Sequence, residues 1–162
     1  MVASVGRRSK QAALQMNGGF FMLKGISPII SPELLKIIAE MGHGDELVLA
    51  DANFPGTSIG QKCVRCDGHG CAEVLDAILT LFPLDTYVDA PVSLMEVVPG
   101  DNVETPIWDE FAKIIEKHQP GTKIRHVERF SFYDEAKKCY AVISTGETAL
   151  YANVILQKGV VK

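Results

Sequence analysis

SPELLKIIAEMGHGDELVLADANFP, Ser31 to Pro55, changes its hydrophobic period in mid-course. Ser31 followed by Pro32 is an N-cap and then the residue best suited to the first helical position. Leu34, Ile37, Ile38 and Met41 recur at helical spacing, so the pattern predicts a helix over 32–41 that stops at Gly42. Leu47, Val48, Leu49 and Ala50 then run without a polar interruption between polar ends, as in a strand covered on both faces. A helix leading into a doubly buried strand is the building unit of an α/β sheet.

The segments on either side extend this pattern. NFPGTSIGQ is a loop by its Pro and Gly content, KCVRC a short strand, and CAEVLDAILTLF a helix with Val74, Leu75, Ile78, Leu79 and Phe82 on one side, stopped by Pro83. TYVDAPVSLMEVV supplies extended chain. Thr105 and Pro106 repeat the cap-and-proline start for a helix over IWDEFAKIIEKH, closed by QPG. IRHVERF places His126 in a strand; a short polar helix around YDEAKK, a strand YAVIST, a turn at Gly146 and a strand NVILQKGVV follow. The expected fold class is α/β, a single domain with one mostly parallel or mixed sheet flanked by helices.

With 162 residues and 47% hydrophobic content the chain suffices for one well-buried core. The net charge of −4 and the lack of a basic stripe argue against nucleic acid as a partner. No apolar run reaches the roughly 20 residues that cross a bilayer, and no cleavable signal is apparent, so a soluble, cytoplasmic protein without a membrane partner is expected. Residues 1–21, with Arg7, Arg8 and Lys10 but no acid, read as a disordered extension or an alternative upstream start rather than a mitochondrial transit peptide, leaving 22–162 as the domain.

CVRCDGHGC packs Cys63, Cys66, His69 and Cys71 into nine residues, as a zinc knuckle does. A structural zinc site draws on two separated pairs of ligands, and no second pair lies downstream. On a strand, Cys63 and Cys66 also face opposite ways. Ordinary thiols in a reducing compartment outweigh both metal and redox roles.

Dinucleotide, P-loop, zinc-protease and serine-hydrolase motifs are all missing, so chemical candidates rest on position. His43 sits between two glycines where a helix end meets the central strand, and free imidazole titrates near neutral pH, which suits a general acid or base. A loop histidine bonded to backbone is the commoner outcome. Asp51 closes the buried strand, where α/β folds gather ligands, and is equally a turn former. Asp85 in PLDTY and Asn153 in YANVIL share that ambiguity. Tyr133, Tyr140 and Tyr151 are phenolic donors or amphipathic packing. Phe54, Tyr87, Met95 and Trp108 offer apolar surface, with core or interface the commoner fate, and Glu128 with Arg129 reads as a solvated pair.

Taken together, MLKGISPIISPELLKIIAEMGHGDELVLADANFP, LFPLDTY, ERFSFYDEAKK and TGETALYANVILQKGV resemble the ribose/fucose mutarotase (RbsD/FucU) family, and most closely its L-fucose branch, over about Met22 to Val161. The resemblance implies a homo-oligomer, a decameric ring or smaller, that interconverts the anomers of a free sugar without metal, nucleotide or other cofactor. It implies His43 as proton donor, Asp51 as a sugar ligand, and Asp85 and Tyr133 in both catalysis and binding. Met95, Tyr151 and Asn153 would line the sugar site, with Arg129 a further ligand. YAN, with Ala152 where fucose-type members usually carry glycine, resembles the ribose branch instead. An L-fucose mutarotase is therefore the expectation, beside two alternatives: a D-ribose pyranase and a non-catalytic sugar-binding protein. In such an enzyme His43 would protonate the ring oxygen, while Tyr133 or Asp85 takes the proton of the anomeric hydroxyl.

Overall fold

The computed structural model describes residues 22–162, so the expected extension over 1–21 lies outside the described residues. Its elements run α1 (Pro32–Glu40), β1 (Glu46–Ala50), α2 (Gly56–Ile59), β2 (Cys63–Cys66), α3 (Cys71–Leu79), β3 (Val92–Met95), α4 (Pro106–His118), β4 (Ile124–Val127), α5 (Arg129–Ala136), β5 (Ala141–Thr145) and β6 (Val154–Gln157). The strands form one six-stranded sheet in the order β2-β5-β1-β6-β3-β4. β1 runs parallel to β5, β5 to β2 and β3 to β4, while β6 is antiparallel to both β1 and β3. The sheet is mixed, and five strands end at one edge where the sixth begins.

β1 is an inner strand with both faces covered, which accounts for its uninterrupted apolar run. Leu47 and Leu49 join Ala141, Ile143, Val154 and Leu156 in a core shared with Leu34 and Ile37 of α1, Leu75 and Ile78 of α3, and Phe111 and Ile115 of α4. Val48 and Ala50 face the other way, with Val142 and Ile155, onto Phe54, Phe132, Ala136 and Cys139. The period-two alternation of strand side chains thus splits one apolar run between two cores. The α5 side is much the thinner of the two.

Element ends depart from the sequence pattern in instructive ways. Ser31 caps α1 as its type requires, its hydroxyl accepting from Leu34 N at 3.1 Å. The helix does not stop on a left-handed Gly42: Met41 leaves it in extended conformation, and the Lys158 ammonium donates to the Ile38 and Met41 carbonyls. Gly44, at φ 85°, makes the turn instead, its N–H bonding Lys158 O at 2.8 Å. NFPGTSIGQ is more than a loop, since Gly56–Ile59 forms the one-turn α2. There a Cβ on Gly56 would meet Ser144 Oγ at 2.3 Å, so close approach to β5 demands glycine.

α3 ends at Leu79, before Pro83, with the Thr80 hydroxyl donating to Ala77 O at 2.6 Å. Thr105 precedes α4 without capping it through its side chain. ERF is helical rather than extended: α5 opens at Arg129, and the Glu128 carboxylate accepts from Phe130 N and Ser131 N, both at 3.0 Å. Those two N–H groups hold the Glu128 carboxyl below its usual range.

The thin core makes its own test. Phe132 is fully buried on α5 and meets Phe54 edge-on, ring centroids 6.2 Å apart. Phe132→Ala should lower the unfolding free energy by about 3–5 kcal/mol, seen as an earlier urea midpoint with an unchanged slope.

Candidate active site

Because β6 opposes its neighbours, the carboxyl ends of β1, β3 and β4 meet the start of β6. Asp51 follows β1, Met95 closes β3, Arg129 follows β4 by two residues, and Asn153 precedes β6. These four line a cavity of about 240 Å³ on the α5 side, together with Asn53, Phe54, Asp101, Tyr133, Leu150 and Tyr151. Six of the expected ligands, Asp51, Met95, Arg129, Tyr133, Tyr151 and Asn153, are thus brought together there.

Asp51 and Asn153, each 4% exposed, hold one another. Asp51 N donates to Asn153 Oδ1 at 2.9 Å, and Asn153 Nδ2 donates to Asp51 Oδ2 at 2.8 Å. Asp51 Oδ1 accepts from Asn53 N at 2.9 Å, the Asx turn that DANFP signals. Burial pushes the Asp51 carboxyl above its ordinary value, and the bonds from Asn53 and Asn153 offset only part of this. Phe54 stands 5.5 Å from the Tyr133 ring, forming an apolar wall. The Arg129 guanidinium lies 5.6 Å from the same ring centroid, and the nearby Tyr133 hydroxyl raises its already high pKa.

A buried network fixes the loops that carry these groups. The Thr145 hydroxyl donates to Ala50 O at 2.9 Å, and Glu147 O accepts from Ala52 N at 2.9 Å, so the end of β5 grips the end of β1. Cys71 Sγ donates to Ala152 O at 3.2 Å and lies 3.1 Å from Thr145 Oγ1. Burial pushes this thiol up to about 12, which keeps it protonated and able to donate. The remaining members of CVRCDGHGC are likewise engaged or buried: Cys63 Sγ is 3.5 Å from Ser144 Oγ, Cys66 is buried, and His69 pairs with Glu73 at 3.1 Å.

His43 and Asp85 lie together, but elsewhere. His43 Nε2 is 3.1 Å from Asp85 Oδ2, with the imidazole 46% and the carboxylate 2% exposed. Asp85 also accepts from Tyr87 N at 2.9 Å and from Gln157 Nε2 at 3.3 Å, so both its oxygens are occupied. It is placed by pairing of Leu84 with Lys158 beyond the end of β6. With Nε2–H donated to a carboxylate, His43 presents Nδ1 outward, and Tyr87 tilts against its ring at 5.4 Å. This pair sits at the amino end of β1, the cavity at the carboxyl end. Roughly 15 Å of strand separates them, at about 3.3 Å per residue.

Position alone did not mark Asp101, which reaches the cavity from the loop after β3 and accepts from the Tyr151 hydroxyl. Nothing in VPGDNVET distinguishes it from any other turn acid. Leu150 and Asn53 went unmarked for the same reason. Glu128 proves to be a helix cap, and Tyr140 bonds Glu40 at 3.0 Å on the surface, away from the cavity.

A mixed α/β sheet whose loop ends converge on a small cavity, with carboxylate, amide and phenol groups beside an apolar wall, has the form of a small-ligand site whose polar groups match hydroxyls. Residues 24–161 match the RbsD / FucU transport protein family, and the chain belongs to it. It is 54% identical over 140 residues to an L-fucose mutarotase of Actinobacillus pleuropneumoniae serotype 5b, covering 86% of this chain and 97% of that one. Among solved structures, FucU from Bifidobacterium longum superposes with a TM-score of 0.84 at 61% identity, covering 86% of this chain and all of that one. The fucose mutarotase of Streptococcus pneumoniae, solved in complex with L-fucose, gives 0.82 at 52% identity over 86% of this chain and 100% of its own.

The raised Asp51 value makes a pH-dependent prediction. A carboxyl that binds its proton more tightly when folded contributes stability that is complete below the unfolded value, near 3.8, and lost as pH rises through the native value. Asp51→Asn removes this loss. Its stability relative to the unsubstituted protein should therefore climb with pH across that window, by at most about 1.4 kcal/mol per pH unit, and stay level above it. Urea midpoints of both proteins between pH 3.5 and 7 measure the difference, whatever fixed offset the substitution adds.

Proposed function

We propose that the chain is an L-fucose mutarotase, a carbohydrate isomerase that equilibrates the α and β anomers of the free sugar without a cofactor. The observation that carries this is the cavity itself: Asp51, Asn153, Arg129, Tyr133 and Tyr151 converge on a volume of monosaccharide size in a chain half identical to fucose mutarotases. Asp51 and Asn153 grip sugar hydroxyls, and Met95, Phe54 and the tyrosine rings pack against carbon. A matched set of buried hydroxyl partners rejects sugars that leave one unpaired.

Exchange requires that the anomeric O–H lose its proton while the ring oxygen gains one; the C1–O5 bond breaks, the aldehyde carbon presents its other face, and reclosure reverses both transfers. Tyr133, inside the cavity and beside the Arg129 guanidinium, suits the anomeric proton. As an imidazolium, with Nε2–H donated to Asp85, His43 delivers a proton from Nδ1 to the ring oxygen and takes it back on reclosure, while Asp85 fixes the orientation of the ring. Asp85 acts here as the group behind His43, since its own oxygens are already engaged.

His43 and the cavity occupy opposite ends of β1, so the site is completed by a neighbouring copy that brings its His43 end to this copy's cavity. Exposed apolar side chains border both halves, Tyr87, Val88 and Val161 at the His43 end and Phe130 and Leu150 at the cavity rim. Head-to-tail contact of two different surfaces closes into a ring, as the expected homo-oligomer requires. Four unpaired cysteines fit a reducing cytoplasm, and among the described residues no helix is long and apolar enough to cross a membrane. Residues 22–162 constitute the catalytic domain on this reading.

Anomeric exchange of L-fucose followed by NMR tests the activity, with D-ribose as the competing substrate. Catalysis of ribose but not fucose exchange would overturn the sugar assignment, and binding without faster exchange would leave only a carrier. His43→Ala should slow exchange by about 10²–10⁴-fold. Co-expression of His43→Ala with Asp51→Ala chains, each inactive alone, should restore part of the rate, because mixed rings contain some sites with both intact halves; no recovery in verified mixed oligomers would place each site within one copy.

A further inference from the structure

Tyr151 is the only non-glycine residue with positive φ, 59°, among the described residues. A tyrosine in the left-handed region pays for its bulky side chain and persists only where surroundings over-determine it. Three contacts do so, and two come from residues that neither the activity nor the cavity chemistry uses. Trp108, on the first turn of α4, donates its indole Nε1–H to Tyr151 O at 2.9 Å. Asp101 accepts from the Tyr151 hydroxyl, and Val98 N donates to that same hydroxyl at 3.3 Å. Trp108 is itself braced by His126 on β4, ring centroids 4.9 Å apart.

The geometry has a specific effect. One hydrogen bond fixes the backbone carbonyl of Tyr151, and two occupy its phenolic oxygen as donor and acceptor. The ring is therefore held where it lines the cavity, and the left-handed turn delivers Asn153, two residues on, to Asp51. A half-buried indole takes an acceptor for its N–H as a rule, and the acceptor here is the carbonyl of the one positive-φ residue that lines the cavity.

We propose that Trp108 is a positioning residue of the sugar site, with Asp101 as its second anchor: together they hold Tyr151 in its left-handed conformation so that its ring and Asn153 are set before the sugar arrives. This rests on the assignment of the cavity as the sugar site. Trp108 touches no sugar itself. Its contribution is to ground-state binding, and losing binding that is equal in ground and transition states raises KM while leaving kcat unchanged.

The test is Trp108→Phe, which keeps an aromatic ring but removes the N–H donor, assayed by fucose exchange kinetics and by hydrogen–deuterium exchange of the sugar-free protein. KM for L-fucose should rise about tenfold, the scale of one lost hydrogen bond, with kcat within about twofold. Deuterium uptake should accelerate in peptides covering 148–153 and stay unchanged in β1. Asp101→Asn, which retains an acceptor, should move both readouts less than Asp101→Ala. A KM within twofold of the unsubstituted protein, or accelerated uptake spread over the whole core, would overturn the positioning role. If the unsubstituted protein catalyses no sugar exchange, the functional assignment falls, and local uptake in 148–153 still decides whether Trp108 holds the turn.

Discussion

The reciprocal hydrogen bonds between Asp51 and Asn153 are the point on which the site depends. Backbone pairing between β1 and β6 ends at Leu49 and Val154, and the Asn153 amide then continues it by bonding the Asp51 main chain and side chain together. Two polar groups that would be costly to bury singly are tolerable because each satisfies the other. The result is a carboxylate kept out of water where it lines the cavity, with acceptor capacity left over. The antiparallel β6 makes this possible: in an all-parallel sheet its first residues would lie at the far edge, beside His43.

Much of the architecture was legible because local signals were strong and mutually consistent. Ser31-Pro32 gave the start of α1, and the unbroken run from Leu47 to Ala50 could only be a strand buried on both sides. Alternation of helix and strand led to the correct class. What escaped were features fixed by tertiary contact. Lys158, more than a hundred residues away, ends α1 where Gly42 looked sufficient. Gly146 is needed less for turn freedom than because a Cβ there would meet Asp67 O at 2.1 Å. ERF joined α5 because Glu128 caps it, a role that a Glu-Arg pair does not advertise.

The site was legible in a different sense. Residue chemistry alone left His43, Asp51, Asp85 and Asn153 as close to turn formers as to ligands, and similarity of whole motifs singled them out. The predicted strand already set His43 and Asp51 at opposite ends, but neither source said with which end Asp85, Tyr133 and Asn153 would fall. GHGDELVLADANFP places His43 and Asp51 eight positions apart in sequence, yet the strand between them is straight and buried, so its side chains cannot fold back to meet. Proximity in sequence here means separation in space, because the intervening element is extended. Asp101 shows the converse: a residue with no local signal reaches the cavity only through the path of the loop after β3.

Trp108 carries one more consequence. It is the sole tryptophan of the chain, and its indole N–H is bonded to Tyr151, which lines the cavity. Emission from selectively excited indole therefore originates from one side chain, whose N–H is bonded to the Tyr151 carbonyl and whose flank is the His126 ring. Any displacement of the Tyr151 carbonyl changes the hydrogen bonding of that one indole, and so bears on the intrinsic fluorescence of the unlabelled protein.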